Sequence, residues 1–287
     1  MCGICGCSGE GVSVKAAVAG GPAHEHHHPA PAHAAAHSHA PGIEATRRVQ
    51  IEADILADND AHAQANRRWL DERGILALNL MSSPGAGKTQ LLVASISALQ
   101  REMPIAVIEG DQQTSHDAER IRATGVPAIQ INTGKGCHLD GHGVAHAIED
   151  LRPPEGALLF IENVGNLVCP AAFALGERQR VVLFSVTEGE DKPLKYPDMF
   201  RTADVVLISK CDLLPHLDFS IEEAEANVRR VNPDARIFRV SARSGEGLAD
   251  WLDWLRQARG EVQAAARETV DALKQRIAEL ERQLAQR

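Results

Sequence analysis

Short apolar runs alternate with polar, helix-like stretches along most of the chain after Gly74. The runs predict strands and the stretches between them predict helices. This alternation is typical of an α/β fold whose mostly parallel sheet is covered by helices on both faces. The near-continuous runs Ala157–Ile161 and Val205–Ile208 indicate strands that are buried on both faces. The seven predicted strands are Ile75–Ser83, Ile105–Glu109, Ala128–Asn132, Ala157–Glu162, Arg180–Thr187, Val205–Ser209 and Arg236–Val240.

Two further helices are predicted on either side of this α/β region. Residues 44–74 place apolar Val49 and Ile55 among charged positions, and Gly74 is a typical helix stop. Near the C-terminus an apolar stripe has alternating spacings of three and four residues, which is a short heptad pattern. It predicts an amphipathic helix that pairs with its copy in a dimer or folds back onto the α/β region. The stripe consists of Val270, Leu273, Ile277, Leu280 and Leu284.

The same patterns divide the chain into four parts. Residues 1–43 are rich in Cys, Gly and His, and because such a composition cannot build a core, we expect a disordered metal-binding tail. The tail is followed by the N-terminal helix (44–74) and by the α/β region, which forms one domain (75–258). A C-terminal helical extension (259–287) comes last.

The segment after the first predicted strand has the spacing of a phosphate-binding loop. Ser82 to Thr89 read Ser-Ser-Pro-Gly-Ala-Gly-Lys-Thr, between an apolar strand and a helix start. The glycines leave room for backbone N–H groups to surround phosphate, the lysine reaches the β/γ oxygens and the threonine hydroxyl suits Mg²⁺. Ser82 stands where the strict pattern has glycine, and we expect this small residue to be tolerated. The predicted nucleotide contacts are Ser83, Pro84, Gly85, Ala86, Gly87, Lys88, Thr89 and Gln90.

Acidic residues at the ends of two later strands are candidates to complete a magnesium-nucleotide site. Asp111 follows the second predicted strand, and Glu162 ends the fourth. Glu162 resembles a Walker-B acid, and the backbone N–H of Gly165 is predicted to meet the γ-phosphate. Asp117 is a weaker candidate because it also suits a helix N-cap. The predicted catalytic residues are Lys88, Thr89, Asp111 and Glu162, the two acids acting in the metal shell or in positioning water.

The base of the nucleotide is predicted from two loops. Ser209-Lys210-Cys211-Asp212 resembles the N-K-x-D element of GTPases, in which the aspartate accepts hydrogen bonds from guanine and the lysine stem covers the base. Ser209 replaces the asparagine, and Cys211 is expected to be structural. Ser241-Ala242 after the last strand resembles the accompanying S-A-x loop. We therefore predict that Lys210, Asp212, Ser241 and Ala242 bind GTP or GDP, with ATP as the alternative.

The tail contains two candidate metal-binding segments. Cys2, Cys5 and Cys7 form a C-x-x-C-G-C cluster, whose thiolates suit Ni²⁺ in a four-coordinate plane or Zn²⁺ in a tetrahedron. A redox role is the competing interpretation of the C-x-x-C spacing. The histidine tract suits storage of divalent ions with interchangeable ligands, the alternatives being a solvated linker or an affinity tag. The tract comprises His24, His26, His27, His28, His33, His37 and His39.

A second constellation is predicted inside the nucleotide domain. Cys137 and His138 follow the third strand, and Cys169 follows the fourth. Both segments leave the carboxyl ends of sheet strands, which is the edge that also carries the nucleotide. Two cysteines and one histidine, completed by water or by a second subunit, suit Zn²⁺ or Ni²⁺, although Cys169 taken singly could be a core residue.

Other histidines near this constellation are interpreted from their spacing. His142 and His146 follow His138 at intervals of four, which predicts three imidazoles on one helical face. His62 has no partner at such a spacing, so we interpret it as an ordinary surface residue.

Composition excludes several classes of function. A formal net charge of −9 and an aromatic content of 3% argue against a nucleic-acid-binding surface. The sequence has no apolar run long enough to span a membrane and no secretory signal, so we expect a cytoplasmic protein without a membrane partner. Thiols stay reduced in that compartment, which favours ligand or core roles for the six cysteines.

Taken together, these motifs resemble the hydrogenase nickel-incorporation GTPases, the HypB family, from Met1 to about Gln257. The resemblance is carried by C-x-x-C-G-C, the His tract, S-S-P-G-A-G-K-T, G-C-H-L-D, E-N-V-G-N-L-V-C-P and S-K-C-D. It implies a slow, magnesium-dependent GTPase that forms a homodimer favoured by GTP. It also implies nickel transfer to the large subunit of a [NiFe]-hydrogenase, with a HypA-type nickel chaperone as partner.

The resemblance also implies roles for the soft ligands. Cys2, Cys5 and Cys7 match a tight nickel site, whereas Cys137, His138 and Cys169 match a regulatory nickel or zinc site near the subunit interface. The alternatives are a non-enzymatic nickel store, and a GTPase chaperone for urease or another nickel or cobalt enzyme.

Overall fold

The structure is a computed structural model that describes residues 13–17, 24–27, 45–111, 116–134 and 136–285. The predicted site of Cys2, Cys5 and Cys7 lies outside the described residues, and so do His28, His33, His37 and His39 of the histidine tract. The metal-binding roles assigned to these residues therefore stay predictions.

Strands and helices alternate through the described chain as the sequence predicts. The strands are β1 (Ser13–Ala17), β2 (His24–His27), β3 (Leu76–Ser82), β4 (Ile105–Asp111), β5 (Ala128–Asn132), β6 (Leu158–Glu162), β7 (Gln179–Ser185), β8 (Val205–Ser209) and β9 (Arg236–Val240). The helices are α1 (Ala45–Glu72), α2 (Lys88–Leu99), α3 (His116–Arg122), α4 (Gly141–Leu151), α5 (Lys192–Lys195), α6 (Pro197–Arg201), α7 (Ile221–Val231) and α8 (Leu248–Ala285).

One sheet with the order β2-β1-β5-β4-β6-β3-β7-β8-β9 organises the fold. The seven strands from β5 to β9 in this order are all parallel, and their ends differ from the predicted ones by at most two residues. The prediction of an α/β fold with a parallel sheet is confirmed. The two strands β1 and β2 were not predicted; they add an antiparallel edge within a tail that we expected to be disordered.

Successive residues of the central strands face opposite helical layers, because side chains alternate along a strand. Leu76, Leu78 and Leu80 of β3 pack in one cluster with residues of α2 and α8. Ala77 packs on the opposite face with residues of α1 and α4, and Met81 packs there with residues of α6 and α7. The sheet is therefore the middle of three layers. None of the described helices is long and apolar enough to cross a membrane.

Helix α1 is fixed to the nucleotide domain by two asparagines. The Asn59 side chain donates to the carbonyl oxygen of Ala174 (2.9 Å) and accepts from the backbone N–H of Gly141 (2.7 Å). The Asn66 amide donates to the carbonyl oxygens of Gly141 (2.8 Å) and Leu175 (3.0 Å). These bonds hold α1 against the start of α4, so the N-terminal helix packs beside the domain as expected.

The last helix, α8, has a docked half and an exposed half. Trp251 is fully buried in the core, and its indole N–H donates to the hydroxyl of Ser95 on α2 at 3.0 Å. The same helix continues without interruption through the predicted boundary at residue 259. The first four residues of its apolar stripe, from Val270 to Leu280, are solvent-exposed, with Leu273 at 59% and Ile277 at 55%. The expectation that the stripe folds back onto the domain is therefore wrong within one chain, whereas pairing with a copy stays a prediction.

The Trp251 anchor predicts how α8 contributes to stability. Replacing Trp251 with Ala should lower the free energy of unfolding by about 3–5 kcal/mol, because a large cavity opens and the Ser95 hydroxyl loses the hydrogen bond that it accepts from the indole. Chemical denaturation of the purified protein measures this loss. Leu273→Ala on the same helix is the matched control and should change stability by at most about 0.5 kcal/mol. A large loss at Leu273 would contradict the exposure of the stripe.

Candidate functional site

The phosphate-binding loop lies between β3 and α2, at the carboxyl edge of the sheet. Gly85 and Gly87 have positive φ angles of 76° and 96°, a conformation that glycine adopts at little cost. The Lys88 ammonium donates to the hydroxyl of Ser82 at 3.0 Å. Ser82, which replaces the expected glycine, therefore fits the loop and orients its lysine.

Two contacts bring the predicted acidic segment onto this loop. The Thr89 hydroxyl donates to a carboxylate oxygen of Glu162 at 2.6 Å. Gly165 lies so close that a side-chain carbon there would be 3.1 Å from the Cα of Pro84. The hydroxyl of Thr89 and the carboxylate of Glu162 form the kind of oxygen pair that binds Mg²⁺. The residues present therefore fit a magnesium site.

Asp111 lies at the same edge of the sheet but on the next strand. It is the last residue of β4 and comes two residues after Glu109. Glu109 pairs in register with Glu162 of β6. Its side chain is half-buried. Asp111 is thus near enough in the fold to remain a candidate for positioning water. The side chain of Asp117, the weaker candidate, lies outside what the structure describes.

A cavity of about 150 Å³ lies where the guanine base is predicted. Ser209, which replaces the asparagine of the N-K-x-D element, donates to the carbonyl oxygen of Ala86 at 2.7 Å and so fixes the two loops to each other. The Ser241 hydroxyl donates to the Asp212 carboxylate at 2.6 Å and orients it. The predicted residues that line the cavity are Ala86, Gly87, Gln90, Lys210, Asp212, Ser241 and Ala242.

The sequence analysis missed Glu188, which also contacts the phosphate-binding loop. Its carboxylate accepts a hydrogen bond from the Ser83 hydroxyl and another from the backbone N–H of Ser185 at 3.0 Å. Lys192 forms an ion pair with it at 2.9 Å. Glu188 follows β7, so its place at the carboxyl edge of the sheet was the available signal.

The three predicted internal metal ligands come together within one chain. The ligand atoms of Cys137, His138 and Cys169 all lie within 4.8 Å of one another. The His138 ring packs against Phe173 with a centroid separation of 4.0 Å. Burial lowers the pKa of His138, and the Asp140 carboxylate opposes part of this shift. A neutral imidazole beside two sulfur atoms suits Ni²⁺ or Zn²⁺.

Asn163, another residue that the sequence analysis missed, connects the two halves of the site. It is buried directly after Glu162, and its side-chain oxygen accepts from the backbone N–H of Leu139 at 3.1 Å. Its amide donates to the side chain of Asn79 on β3 at 3.2 Å. Leu139 is the neighbour of His138, so a path of direct contacts runs from Thr89 to the Cys and His cluster.

The histidines after this cluster are arranged differently from the prediction. Asp140 is the N-cap of α4 and accepts from the backbone N–H of Gly143 at 2.7 Å, so the helix begins only after His138. The predicted face of three imidazoles is therefore wrong. His142 and His146 do share a face, with their Nε2 atoms 3.3 Å apart. His62 of α1 meets His142 at a centroid separation of 4.8 Å, a contact that the sequence spacing did not indicate.

Comparison with known proteins places this site in a family. Residues 76–239 match the family described as CobW/HypB/UreG, nucleotide-binding domain. The chain is 60% identical over 243 residues to the hydrogenase maturation factor HypB of Azotobacter chroococcum mcd 1, a match that covers 85% of this chain and 79% of that protein. The chain belongs to the HypB family.

Two solved HypB structures are similar to it. The crystal structure of HypB from Archaeoglobus fulgidus has 40% identity and a TM-score of 0.67, and the match covers 71% of this chain and 99% of that one. HypB from Helicobacter pylori, solved in complex with nickel, has 38% identity and a TM-score of 0.66, with coverage of 71% and 96%. The fold built above is therefore a HypB fold.

Differences in burial among the described cysteines predict different rates of alkylation. Burial raises the pKa of Cys211 to about 11, so at pH 8 only about one thiol in a thousand is ionised. Iodoacetamide at pH 8 should therefore modify the less buried Cys137 and Cys169 and leave Cys211 intact in the folded protein. Peptide mass spectrometry measures the three sites separately.

The rate at Cys211 should rise about tenfold per pH unit towards its pKa, because the thiolate is the reactive form. Labelling in denaturant is the control, since all three peptides should then react. Fast modification of Cys211 in the folded protein at pH 8 would contradict its burial.

Proposed function

We propose that this HypB-family chain is a magnesium-dependent GTPase that delivers nickel during maturation of [NiFe]-hydrogenase. Nickel is the cargo, held at Cys137, His138 and Cys169 with an affinity that depends on the bound nucleotide. The observation that carries the proposal is the path of contacts from Thr89 through Glu162 and Asn163 to Leu139 beside His138.

For hydrolysis, each group at the loop has a role that follows from its position. The backbone N–H groups of the loop and the Lys88 ammonium hold the β- and γ-phosphates. The oxygens of Thr89 and Glu162 would hold Mg²⁺, which supplies charge neutralisation on the transferred phosphoryl group. Because Glu162 already contacts Thr89, we assign the positioning of the attacking water to Asp111. The backbone N–H of Gly165, next to Pro84, is assigned to the γ-phosphate.

The guanine base is assigned to the cavity beside the loop. Asp212 accepts hydrogen bonds from the base N1–H and the 2-amino group, which distinguishes guanine from adenine. Ser241 keeps that carboxylate in place, and the Lys210 stem covers the base. Ala242 lines the same cavity.

Coupling follows from the segment that leaves β6. Glu162 and Gly165 contact the phosphate-binding loop, and Cys169 lies a few residues further along the segment that follows β6. Loss of the γ-phosphate releases Gly165, so the segment shifts and the spacing between Cys169 and the Cys137–His138 pair changes. A difference of about 1.4 kcal/mol between the two nucleotide states would change the nickel affinity tenfold.

The remaining parts of the proposal concern assembly. We propose that GTP favours a homodimer, in which the internal site lies near the interface and the exposed stripe of α8 is available to pair with its copy. Cys2, Cys5 and Cys7 hold nickel tightly in the tail, and Zn²⁺ competes at the internal site. A HypA-type chaperone exchanges the metal with this chain, and the hydrogenase large subunit receives it.

The GTPase part predicts the behaviour of two variants. Lys88→Ala should lower the rate of phosphate release from GTP with Mg²⁺ at least about 100-fold, because the phosphoryl charge loses its ammonium partner. Equal turnover of the variant and the wild type would overturn the enzymatic proposal.

Asp212→Asn is the matched control for the base. It should bind GTP at least about 100-fold more weakly, because two charge-assisted hydrogen bonds are lost. It should gain affinity for xanthosine triphosphate, since an asparagine amide can accept a hydrogen bond from the N1–H of xanthine and donate one to its 2-carbonyl oxygen. An unchanged preference for GTP would contradict the assignment of the guanine base to this cavity.

The coupling part predicts a nucleotide-dependent nickel affinity. In a Cys2→Ala background, which removes the tight tail site, nickel should bind at least tenfold differently to the GDP state and to the state with a non-hydrolysable GTP analogue. Equilibrium titration measures both affinities. Asn163→Ala should retain nickel binding and reduce this difference, because Leu139 loses its hydrogen bond to the segment.

Two controls complete the test. Cys169→Ala in the same background should lose the internal nickel site in both states, whereas Cys211→Ser should change neither affinity. If nickel affinity is the same in both nucleotide states of the background protein, the coupling proposal fails even when GTP turnover is normal.

A further inference from the structure

Three histidines outside the site described above meet where α1 crosses the start of α4. The Nε2 atoms of His142 and His146 are 3.3 Å apart, and their rings stand almost perpendicular at 88°. His62 approaches His142 edge-on, with ring centroids 4.8 Å apart and an interplanar angle of 70°. The three imidazoles thus form a continuous group on the surface of two different helices.

The packing of the two helices holds this group in place. Asn59 and Asn66, which flank His62 on α1, are both hydrogen-bonded to backbone atoms of Gly141, the first residue of α4. Gly141 permits the close approach, because a side-chain carbon there would lie 2.9 Å from the carbonyl oxygen of Asn59. His142 is the next residue, so the position of its ring relative to His62 is set by these buried contacts.

Electrostatics favour the neutral form of the central imidazole. Burial lowers the pKa of His142, and the neighbouring His146 and His62 lower it further. Asp140 and Asp58 oppose this shift. Glu149 adds a carboxylate 3.8 Å from the Nδ1 of His146. The neutral imidazole is the form that binds metal, and nearby carboxylates reduce the cost of adding a divalent charge.

The spacing of two of the ring nitrogens matches that of two ligands on one ion. Zinc–nitrogen bonds of 2.0–2.1 Å in a tetrahedral site hold two nitrogen ligands about 3.3–3.4 Å apart. The observed Nε2 separation of His142 and His146 is 3.3 Å. Two histidines one helical turn apart can present their rings to the same point, and the His62 ring lies beside that pair, with its centroid 4.8 Å from that of His142.

We propose that His62, His142 and His146 form a further metal site, which binds a borderline divalent ion such as Zn²⁺, Ni²⁺ or Cu²⁺ through imidazole ligands. Water or the carboxylate of Asp58, one helical turn before His62, completes the coordination. The site is separate from Cys137, His138 and Cys169 and needs no nucleotide. Since it offers no thiolate, it holds its ion by a different ligand set from the Cys137, His138 and Cys169 site.

Protection of individual histidines in the full-length protein tests this site. Diethyl pyrocarbonate modifies neutral imidazoles, and peptide mass spectrometry gives a rate for each histidine. With ZnCl₂ alone at about ten times the dissociation constant, the rates at His62, His142 and His146 should fall together about tenfold, because the free fraction falls by that factor. The exposed His216 should react at the same rate with and without zinc.

Variants separate the proposal from its alternatives. His142→Ala should abolish the protection of His62 and His146, and because His142 is exposed, circular dichroism should show an unchanged fold. Cys137→Ser should leave the protection of all three histidines intact. His216→Ala is the matched control for loss of one surface imidazole.

Two results would overturn the site. Protection of His142 and His146 without His62 would show binding by the helical pair alone. Absence of protection at millimolar zinc would show that the 3.3 Å contact is only an imidazole–imidazole hydrogen bond. Neither result bears on the GTPase or on the Cys137, His138 and Cys169 cluster, so this proposal can fail while the proposed function stands.

Discussion

The hydrogen bond between the hydroxyl of Thr89 and the carboxylate of Glu162 is the contact on which the rest of the site depends. Thr89 lies in the first turn of α2, and Glu162 ends β6, the parallel neighbour of β3. The bond therefore joins the element that holds phosphate to the segment that leads to Cys169. In the proposed function, any group that competes for either oxygen would act on both the nucleotide and the soft-metal end of the domain.

A buried polar network beneath that contact determines where the loops lie. Asn79 sits in the middle of β3 and bonds to both Asn163 and Glu177, and Glu177 also pairs with Arg180 at 2.7 Å. Polar groups in an apolar sheet are costly unless each is satisfied, so this network strongly restricts the positions that its members can occupy. Through Asn163 and Leu139 the restriction reaches His138, which explains how a loop can present its ligands in a fixed arrangement.

Much of this architecture could be predicted from the sequence because its signals are local. Strands buried on two faces, such as Leu158–Glu162, appear as continuous apolar runs, and the rule that parallel strands end at one edge placed Cys137 and Cys169 together. The contacts of Asn163 with Leu139, of Glu188 with Ser83 and of His62 with His142 were not predicted, because these partners lie far apart in the chain. The start of α4 was misjudged because the Asp140 cap, rather than imidazole spacing, sets it.

The length of α8 has a geometric consequence. A helix of 38 residues is about 57 Å long at 1.5 Å per residue, and only its first half lies against the core. The remainder extends away from the domain, and its direction is set by the packing of the first half around Trp251. A molecule that binds the outer end of α8 would therefore be held at a defined distance and angle from the nucleotide domain.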